Sequence, residues 1–247
     1  MRGWSLSYVL LLGAAGCQFT VGALAPGGGA PDLAMGGGEL GPGMPMDLAS
    51  PGDLGGVPPT PDLHLPGMLS GQLLAAPVAD NLTLEGTIDW IEWGANGTFA
   101  IRKTGGTTLI DYTLVGGTVQ QGSGYSTTFT WSDGAPTMAG TSSGAVYTTG
   151  GGSGFLFSAN ADPAATSTLR AYVGANNATG KMVAHLADGS APDFVSTSVT
   201  STGNTPNNVV FEFTYRPSSA TKLTLTWTNN GPGGGNGIAA LAAVTVQ

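Results

Sequence analysis

From residue 69 to the C-terminus, short segments in which apolar and polar residues alternate constrain the fold of this chain most strongly. The clearest segment is Asn208–Tyr215, with the sequence NVVFEFTY. Successive side chains of a β-strand point to opposite faces. In an extended chain one face would carry Val209, Phe211, Phe213 and Tyr215, and the other Val210, Glu212 and Thr214. This pattern predicts a strand that buries one face.

Further segments of the same kind are separated by Gly, Asn, Asp and Ser, as strands and turns require. They are Leu82–Trp93, Thr98–Ile101, Leu109–Leu114, Ser126–Trp131, Ala145–Tyr147, Gly154–Ser158, Thr168–Val173, Lys181–Leu186, Lys222–Thr228 and Ile238–Val246. No segment has the apolar period of a convincing amphipathic helix. A parallel sheet would need crossover helices. The pattern therefore predicts an all-β domain at residues 69–247, an antiparallel β-sandwich (jelly roll) of roughly ten strands.

The composition changes before residue 69. The chain contains 42 Gly and 16 Pro, and most of this excess of glycine and proline lies in the N-terminal part. Residues 17–68 carry degenerate repeats such as Pro31-Asp32-Leu33 and Pro61-Asp62-Leu63. Such a segment cannot bury enough apolar surface to offset its conformational entropy. We expect a disordered Gly/Pro-rich linker, with a root-mean-square reach on the order of 40 Å.

Residues 1–16 have the features of a signal peptide. Arg2 precedes the apolar run Tyr8–Ala15, which is too short for a spanning helix but fits the apolar core of an export signal. The run Ala14-Ala15-Gly16-Cys17 resembles the bacterial lipobox. The resemblance implies lipid attachment at Cys17 and anchoring in the cell envelope, with the outer membrane or cell surface favoured. The alternative is ordinary cleavage near the same small residues.

Charge and cysteine content exclude several classes of protein. Five of the 15 acidic residues precede residue 69, which leaves ten against six Lys and Arg in the domain. This acidic balance would repel nucleic acid. Cys17 is the only cysteine, so no internal disulfide can form. We expect a monomer that contacts a membrane through its lipid anchor only.

Several short motifs of the domain resemble those of a bacterial β-sandwich module found in secreted, polysaccharide-associated proteins. They are Asp89-Trp90-Ile-Glu-Trp93-Gly94, Arg102-Lys103, Asp111-Tyr112, Thr130-Trp131-Ser-Asp-Gly134, Thr168–Gly174 and Gly180–Asp193. The resemblance covers residues 78–247. The module is similar to the galactose-binding-like jelly rolls, to which many carbohydrate-binding modules belong, and the resemblance implies a binding role by analogy of fold.

A sugar-binding surface needs an exposed aromatic ring with polar groups beside it. Trp90, Trp93 and Trp131 are the candidate rings, and alternation suggests that one of the first two faces outward. The polar candidates near them are Asp89, Glu92, Arg102, Lys103, Asp111 and Tyr112. The alternative is that the Trp side chains fill the core.

Other motifs favour no enzyme. Gly140-Thr-Ser142-Ser-Gly144 matches the G-x-S-x-G pattern of serine hydrolases, but no strand-to-helix context surrounds it. His185 is the only histidine of the domain, which leaves a catalytic triad or zinc site short of partners. We expect no cofactor, with structural Ca²⁺ at Asp188, Asp193 and Asn177 as the alternative.

The sequence therefore predicts a surface lipoprotein that displays a non-catalytic carbohydrate-binding module. A structural or adhesive envelope protein that binds other proteins is the second hypothesis. A glycoside-acting hydrolase, with a carboxylate pair drawn from Asp89, Glu92 and Asp111, is the third.

Overall fold

The computed structural model describes residues 65–95, 100–231 and 236–247. These residues form an all-β domain of 17 strands and one helix of four residues. The all-β class and the antiparallel sandwich predicted from the sequence are confirmed. The predicted signal peptide, Cys17 and nearly all of the predicted linker lie outside the described residues.

The elements follow one another in short steps. In chain order they are β1 (Met68–Ala75), β2 (Ala79–Asn81), α1 (Leu82–Glu85), β3 (Asp89–Glu92), β4 (Ile101–Lys103), β5 (Leu109–Val115), β6 (Gln120–Ser123), β7 (Thr128–Trp131), β8 (Gly134–Ala135), β9 (Gly140–Ser142), β10 (Gly144–Thr149), β11 (Gly154–Ala161), β12 (Ser167–Asn176), β13 (Ala178–Leu186), β14 (Phe194–Ser201), β15 (Asn207–Arg216), β16 (Thr221–Asn229) and β17 (Ile238–Val246).

Three sheets share these strands. The large sheet has the order β1-β15-β12-β17-β3-β4-β8, and β10 and β6 extend it from the other half of β17. The second sheet has the order β14-β13-β16-β11-β5, and the small sheet has the order β2-β7-β9. All neighbouring strands are antiparallel except β2 and β7.

The main core lies between the large and second sheets, where the predicted alternation is realised. Val209, Phe211, Phe213 and Tyr215 of β15 are buried in this core with Trp227 of β16. The opposite face of the large sheet is covered at one end by the small sheet and α1. Leu82, Phe129 and Tyr172 belong to this second core. The domain is therefore a sandwich with a partial third layer.

The predicted strand Leu82–Trp93 is wrong in its first half, where the chain forms helix α1. The side-chain oxygen of Asn81 accepts hydrogen bonds from the amides of Thr83 (3.1 Å) and Leu84 (3.3 Å). Such a cap satisfies amides that would otherwise lack partners at a helix start. Helix α1 ends at Glu85, and β3 begins at Asp89.

No helix in the described ranges is long and apolar enough to cross a membrane.

Candidate functional site

The three Trp residues predicted to offer a sugar-binding ring are all buried. Trp90 is 0% exposed, and Trp93 and Trp131 are each 5% exposed. The expectation that one of the first two faces outward is wrong. Ile91 and Trp93 point into the main core, whereas Trp90 lies in the second core with Trp131, 6.0 Å away between ring centroids.

The cause is the third layer. A strand of a two-layer sandwich has one face in solvent, but the small sheet and α1 cover the outer face of β3 as well. All four residues of β3 are buried. Alternation still predicts which side chains of β3 share a face, but here other parts of the protein cover both faces of the strand.

The carboxylates of the same segment are engaged by backbone amides. Asp89 accepts hydrogen bonds from the amides of Thr108 and Leu109, both at 2.8 Å, through one carboxylate oxygen. Its other oxygen accepts from the amide of Trp90 at 2.8 Å. Glu92 accepts from the amides of Gly94 and Ala95, both at 2.9 Å. Asp89 thus holds the start of β5 beside β3, Glu92 closes the turn that follows β3, and both carboxylates are engaged by backbone amides.

Glu92 also connects β3 to the strand that follows the G-x-S-x-G motif. The Ser142 hydroxyl donates to Glu92 at 2.8 Å and accepts from the amide of Gly144 at 3.0 Å. A Cβ on Gly144 would lie 2.2 Å from the carbonyl oxygen of Gly94, so this close approach requires glycine. Burial raises the pKa of Glu92, and the hydrogen bonds from Ser142, Ala95 and Gly94 oppose that rise. Ser142 is therefore a structural residue at the end of β9, and its hydroxyl accepts from the first amide of β10.

The structure brings Trp93, Asp111 and Tyr112 together at one edge of the main core. The indole nitrogen of Trp93 donates to Asp111 at 2.7 Å. The ring of Tyr112 meets that of Trp93 edge to face at 5.8 Å. Burial raises the pKa of the Tyr112 hydroxyl, and the charge of Asp111 adds to the effect.

A second group surrounds Asp133, which accepts from the indole nitrogen of Trp90 (3.0 Å) and the hydroxyl of Thr83. Lys103 forms an ion pair with its other oxygen at 2.6 Å. Burial favours the neutral carboxyl, but hydrogen bonds from Lys103, Thr83 and Trp90 outweigh it and lower the pKa of Asp133. Arg102 lies on β4 opposite Ile91 and Ala135. These residues fasten the third layer to the large sheet.

Two of the three calcium candidates, Asp188 and Asp193, have separate partners, and the third, Asn177, lies in the turn between β12 and β13. Asp188 accepts hydrogen bonds from Ser190, Ser218 and Ser219, and they lower its pKa against the effect of burial. Asp193 pairs with His185 at 2.6 Å. The described residues contain no group of three or more His, Cys, Asp or Glu side chains placed to hold a metal ion. Calcium binding stays a prediction.

An open groove lies on the outer face of the large sheet, beyond the edge of the small sheet. Its floor is a row of residues that face one another across five strands. Gln120 pairs with Tyr147, Tyr147 with Ala240, Ala240 with Gly174, and Gly174 with Asn208. The two smallest side chains of the row lie between Tyr147 and Asn208, which therefore form its two sides.

The groove has a volume of about 250 Å³. Its remaining walls include Tyr125, Asn176, Pro206 and Ile238. Tyr125 closes one end, because its hydroxyl donates to the carbonyl of Val173 at 2.9 Å and its ring stacks on Phe129. Asn176 faces Ile238 across the other end. The groove thus combines aromatic rings, a floor of Gly and Ala, and carboxamide groups.

Two features of these groups concern a ligand. The side chain of Tyr147 is half-buried, and its hydroxyl donates to the side-chain oxygen of Gln120 at 3.1 Å. Within the described residues, the side-chain oxygen of Asn176 is buried and has no hydrogen-bond partner. A buried acceptor without a partner costs about 1 to 3 kcal/mol, but the carboxamide of Asn176 would have to rotate before a ligand hydroxyl could donate to this oxygen.

The sequence-based analysis missed this groove because its residues come from five strands whose pairing a sequence does not reveal. One signal was available. Gly174 lies inside the apolar strand segment Tyr172–Ala175, and a glycine inside a strand often marks a bulge or a close approach of ligand. The structure has a bulge between Tyr172 and Val173 as well.

A buried polar network lies at the opposite end of this face, under α1. The Tyr172 hydroxyl contacts the carboxylates of Asp80 and Glu85, and Arg170 pairs with both Glu85 and Glu212. Burial is the main cause that raises the pKa of Glu85 to about 7, and its hydrogen bond with Asp80 adds to it. This network joins β2 and α1 to the large sheet.

No protein-family model matches the chain, and no curated protein matches it. Among solved structures, the chain is similar to the enzymatically active domain of tailspike protein 4 of bacteriophage CBA120 (18% identity, TM-score 0.33). The match covers 55% of this chain and 19% of that one, so the chain spans about a fifth of the tailspike length.

Two cleaved adhesin domains of Lys-gingipain from Porphyromonas gingivalis W83 are also similar. The K1 domain has 13% identity and a TM-score of 0.34, over 55% of this chain and 89% of that domain. The K3 domain has 11% identity and a TM-score of 0.29, over 45% of this chain and 81% of that domain. Scores this low define no common function.

Proposed function

We propose that this chain is a non-catalytic binding protein of the bacterial envelope, which takes a carbohydrate into the groove between Tyr147 and Asn208. The signal peptide and lipidation at Cys17 predicted from the sequence would place it on the cell surface, on a tether formed by residues 17–68. The observation that carries the proposal is the groove itself, with an aromatic ring and carboxamides around a floor of Gly174 and Ala240.

This combination suits a sugar. The C–H face of a pyranose packs against an aromatic ring, while its hydroxyl groups need donors and acceptors at the periphery. Tyr147 supplies the ring. Asn176 and Asn208 each supply two donors and one acceptor. A floor without bulky side chains lets the ligand approach the backbone of β12 and β17.

The other residues named from the sequence support this role indirectly. Asp89 holds the start of β5 beside β3. The Glu92–Ser142 hydrogen bond fixes the start of β10, which carries Tyr147. In the proposal, the segment Asp89–Trp93 supports the site and does not contact the ligand, and we call this segment the frame. A glycosidase needs two carboxyl groups that flank the scissile bond, and the backbone bonds of Asp89 and Glu92 oppose that use.

The proposal is tested on residues 65–247 and on the full chain with a glycan array of neutral and charged saccharides. We expect specific retention that Tyr147→Ala reduces about tenfold, because an aromatic contact contributes about 0.5 to 1.5 kcal/mol beyond the area it buries, and about 1.4 kcal/mol corresponds to a factor of ten. Tyr147→Phe keeps the ring and should retain binding within about threefold, since it loses one hydroxyl.

Leu156→Ala is the matched control, because Leu156 is on the second sheet and 37% exposed. Circular dichroism and the thermal midpoint establish that each variant is folded. Absence of binding across the array by a folded wild-type protein would refute the proposal. Binding that survives Tyr147→Ala would refute the assignment of the site.

An adhesive or structural protein is the second candidate, and one observation favours it. Three strongly exposed apolar side chains belong to the third layer or its connections: Val78 (84% exposed), Leu84 (73%) and Met138 (72%). Exposed apolar side chains favour protein contacts when they are contiguous. Partners that co-purify with wild-type protein, but not with Leu84→Ser and Met138→Ser, would favour this role.

A further inference from the structure

We infer that the groove selects an uncharged sugar ring, and that it takes one such ring at a time. This inference rests on the proposed function and specifies its ligand class. The residues that line the groove are Gly122, Ser123, Gly124, Tyr125, Ala145, Tyr147, Gly174, Ala175, Asn176, Pro206, Asn208, Ile238 and Ala240. None of them is Asp, Glu, Lys, Arg or His.

The absence of charge from this wall decides which sugars fit. A carboxylate or ammonium group that enters an apolar groove loses hydration, and only a partner of opposite charge offsets that loss. The groove lining contains no such partner. The ten acidic and six basic residues counted from the sequence give the domain an acidic balance, which adds repulsion against a hexuronate or sulfated sugar.

Hydroxyl groups, in contrast, meet suitable partners. Asn176 and Asn208 are neutral, and each donates and accepts. The side-chain oxygen of Asn176 is buried without a partner among the described residues, so a rotation that brings it to a donating hydroxyl would remove an existing penalty. An N-acetyl group is also neutral, so we expect the groove to accept N-acetylated sugars.

The size of the groove limits the ligand. Its volume of about 250 Å³ falls below the range of about 300 to 1,000 Å³ for sites that enclose drug-sized ligands. Tyr147 and Asn208 are three strand spacings apart, and neighbouring strands lie about 4.8 Å apart. Once the two side chains occupy part of this width, the floor over Ala240 and Gly174 accommodates a single ring.

Gly174 determines the depth of the groove. A Cβ at this position would meet the side-chain oxygen of Asn208 at 2.3 Å and the Cβ of Ala240 at 3.6 Å. The first contact moves the end of a flexible side chain, so Gly174→Ala keeps the fold but displaces Asn208 and raises the floor. It therefore removes room for the ring without removing an aromatic group.

The test measures affinity for matched probes: methyl glycosides of glucose, galactose, mannose and N-acetylglucosamine, and the corresponding hexuronates and unacetylated hexosamines. We expect at least one neutral probe to bind more than tenfold better than its charged counterparts. Affinity for that probe should change less than twofold between 50 mM and 1 M NaCl, because no ion pair contributes. Gly174→Ala should weaken it at least tenfold.

A gain-of-function variant separates charge from shape. Asn208→Lys adds one cation beside the floor, and we expect it to recover binding of the hexuronate that matches the preferred neutral sugar. Failure of this recovery would show that charge is not the basis of selection. Chain length is tested with the corresponding disaccharides and trisaccharides, which should bind within about threefold of the single ring.

The outcomes distinguish the inference from the proposed function. Equal or tighter binding of hexuronates, or affinity that falls steeply with salt, overturns the uncharged-ring inference. The proposed function survives that result if Tyr147→Ala still weakens binding about tenfold. Affinity that rises more than tenfold from one ring to three overturns the single-ring part. A protein that binds no probe of any class refutes both.

Discussion

The segment around β3 and the groove around Tyr147 both place polar side chains beside aromatic rings, but they differ in how far other layers of the fold cover them. In the first, Trp90 and Trp93 are buried, and the carboxylates of Asp89 and Glu92 accept backbone amides. In the second, Tyr147 is half-buried, and the side-chain oxygen of Asn176 has no partner among the described residues. Satisfied polar groups stabilise a fold, whereas unsatisfied ones beside an open floor can bind a ligand.

The comparison also shows why residue type alone misleads. In a sequence, a Trp flanked by Asp and Glu suggests a ligand site. The same residue types also occur in buried segments that only support the fold, so the pattern does not separate the two cases. What separates them is whether a third layer lies above the strand. The small sheet ends before β10, and the groove begins at that boundary, where Tyr125 stacks on Phe129 of β7.

The largest expected effect is on the free energy of unfolding, when Trp93 and Tyr147 are each replaced by alanine. Trp93→Ala should destabilise the domain by about 3 to 5 kcal/mol, since it removes a buried indole. Tyr147→Ala should cost less than about 1 kcal/mol, because its side chain is only partly buried. Urea unfolding of both variants measures the difference. Equal losses would contradict the division into frame and site.

The second effect concerns the carboxylate that links the two regions. Glu92→Ala leaves the amides of Gly94 and Ala95 and the Ser142 hydroxyl without their acceptor. We expect a loss of about 2 to 4 kcal/mol in the free energy of unfolding. Ser142→Ala, which removes one of the three bonds, should lose about 1 kcal/mol. An equal loss for both variants would argue against a shared role of these bonds.

The strands could be predicted from the sequence more reliably than the site. Segments with strict alternation and a buried face, such as β13 and β15, were found because their period depends on local sequence. Strands β1, β6 and β14 were missed. Each is at the edge of its sheet, and each has exposed residues that break the alternation.

The third layer could not be predicted from local sequence. Strands β2, β8 and β9 have three, two and three residues, too few to show a period. The parallel pairing of β2 with β7 joins Ala79 to Thr128, which are far apart in the chain. The groove depends on register across five strands, and register is a property of the folded sheet.

The third prediction compares the polar network under α1 with the groove. Glu85 has a pKa of about 7 in the folded protein against an ordinary value of 4.5, mainly because it is buried, and Asp80, Tyr172 and Arg170 surround it. A carboxyl whose pKa is raised binds its proton more tightly in the folded state. Its stabilising contribution is therefore complete below about pH 4.5 and is lost as the pH rises to about 7.

Unfolding measurements between pH 4.5 and 8 check this prediction. We expect the free energy of unfolding of wild type, relative to Glu85→Gln, to fall by about 1 to 2 kcal/mol over that interval after allowance for solvent screening. Glycan binding at the groove should not follow the same curve, because its lining has no acidic side chain. A wild-type curve parallel to that of Glu85→Gln would contradict the raised pKa.

The smallest expected effect on stability is that of Gly174→Ala, which is best judged against Gly180→Ala, a second glycine inside a strand. A Cβ at Gly180 would lie 1.8 Å from the ring of Trp227, which is 0% exposed. Gly180→Ala should therefore cost about 1 to 3 kcal/mol, as overpacking of a full core does. Gly174→Ala meets only the end of the Asn208 side chain and Ala240, and alanine restricts the unfolded chain. We expect its stability to remain within about 0.5 kcal/mol of wild type.

This pair tests whether the floor of the groove is open space or packed interior. If Gly174→Ala destabilises the domain as much as Gly180→Ala, the residues above β12 are packed like a core, and no ligand could reach the floor. If Gly174→Ala is neutral, glycine is not required there for stability. Its presence is then explained by the room it leaves between Tyr147 and Asn208, which is the property that distinguishes the groove from the frame.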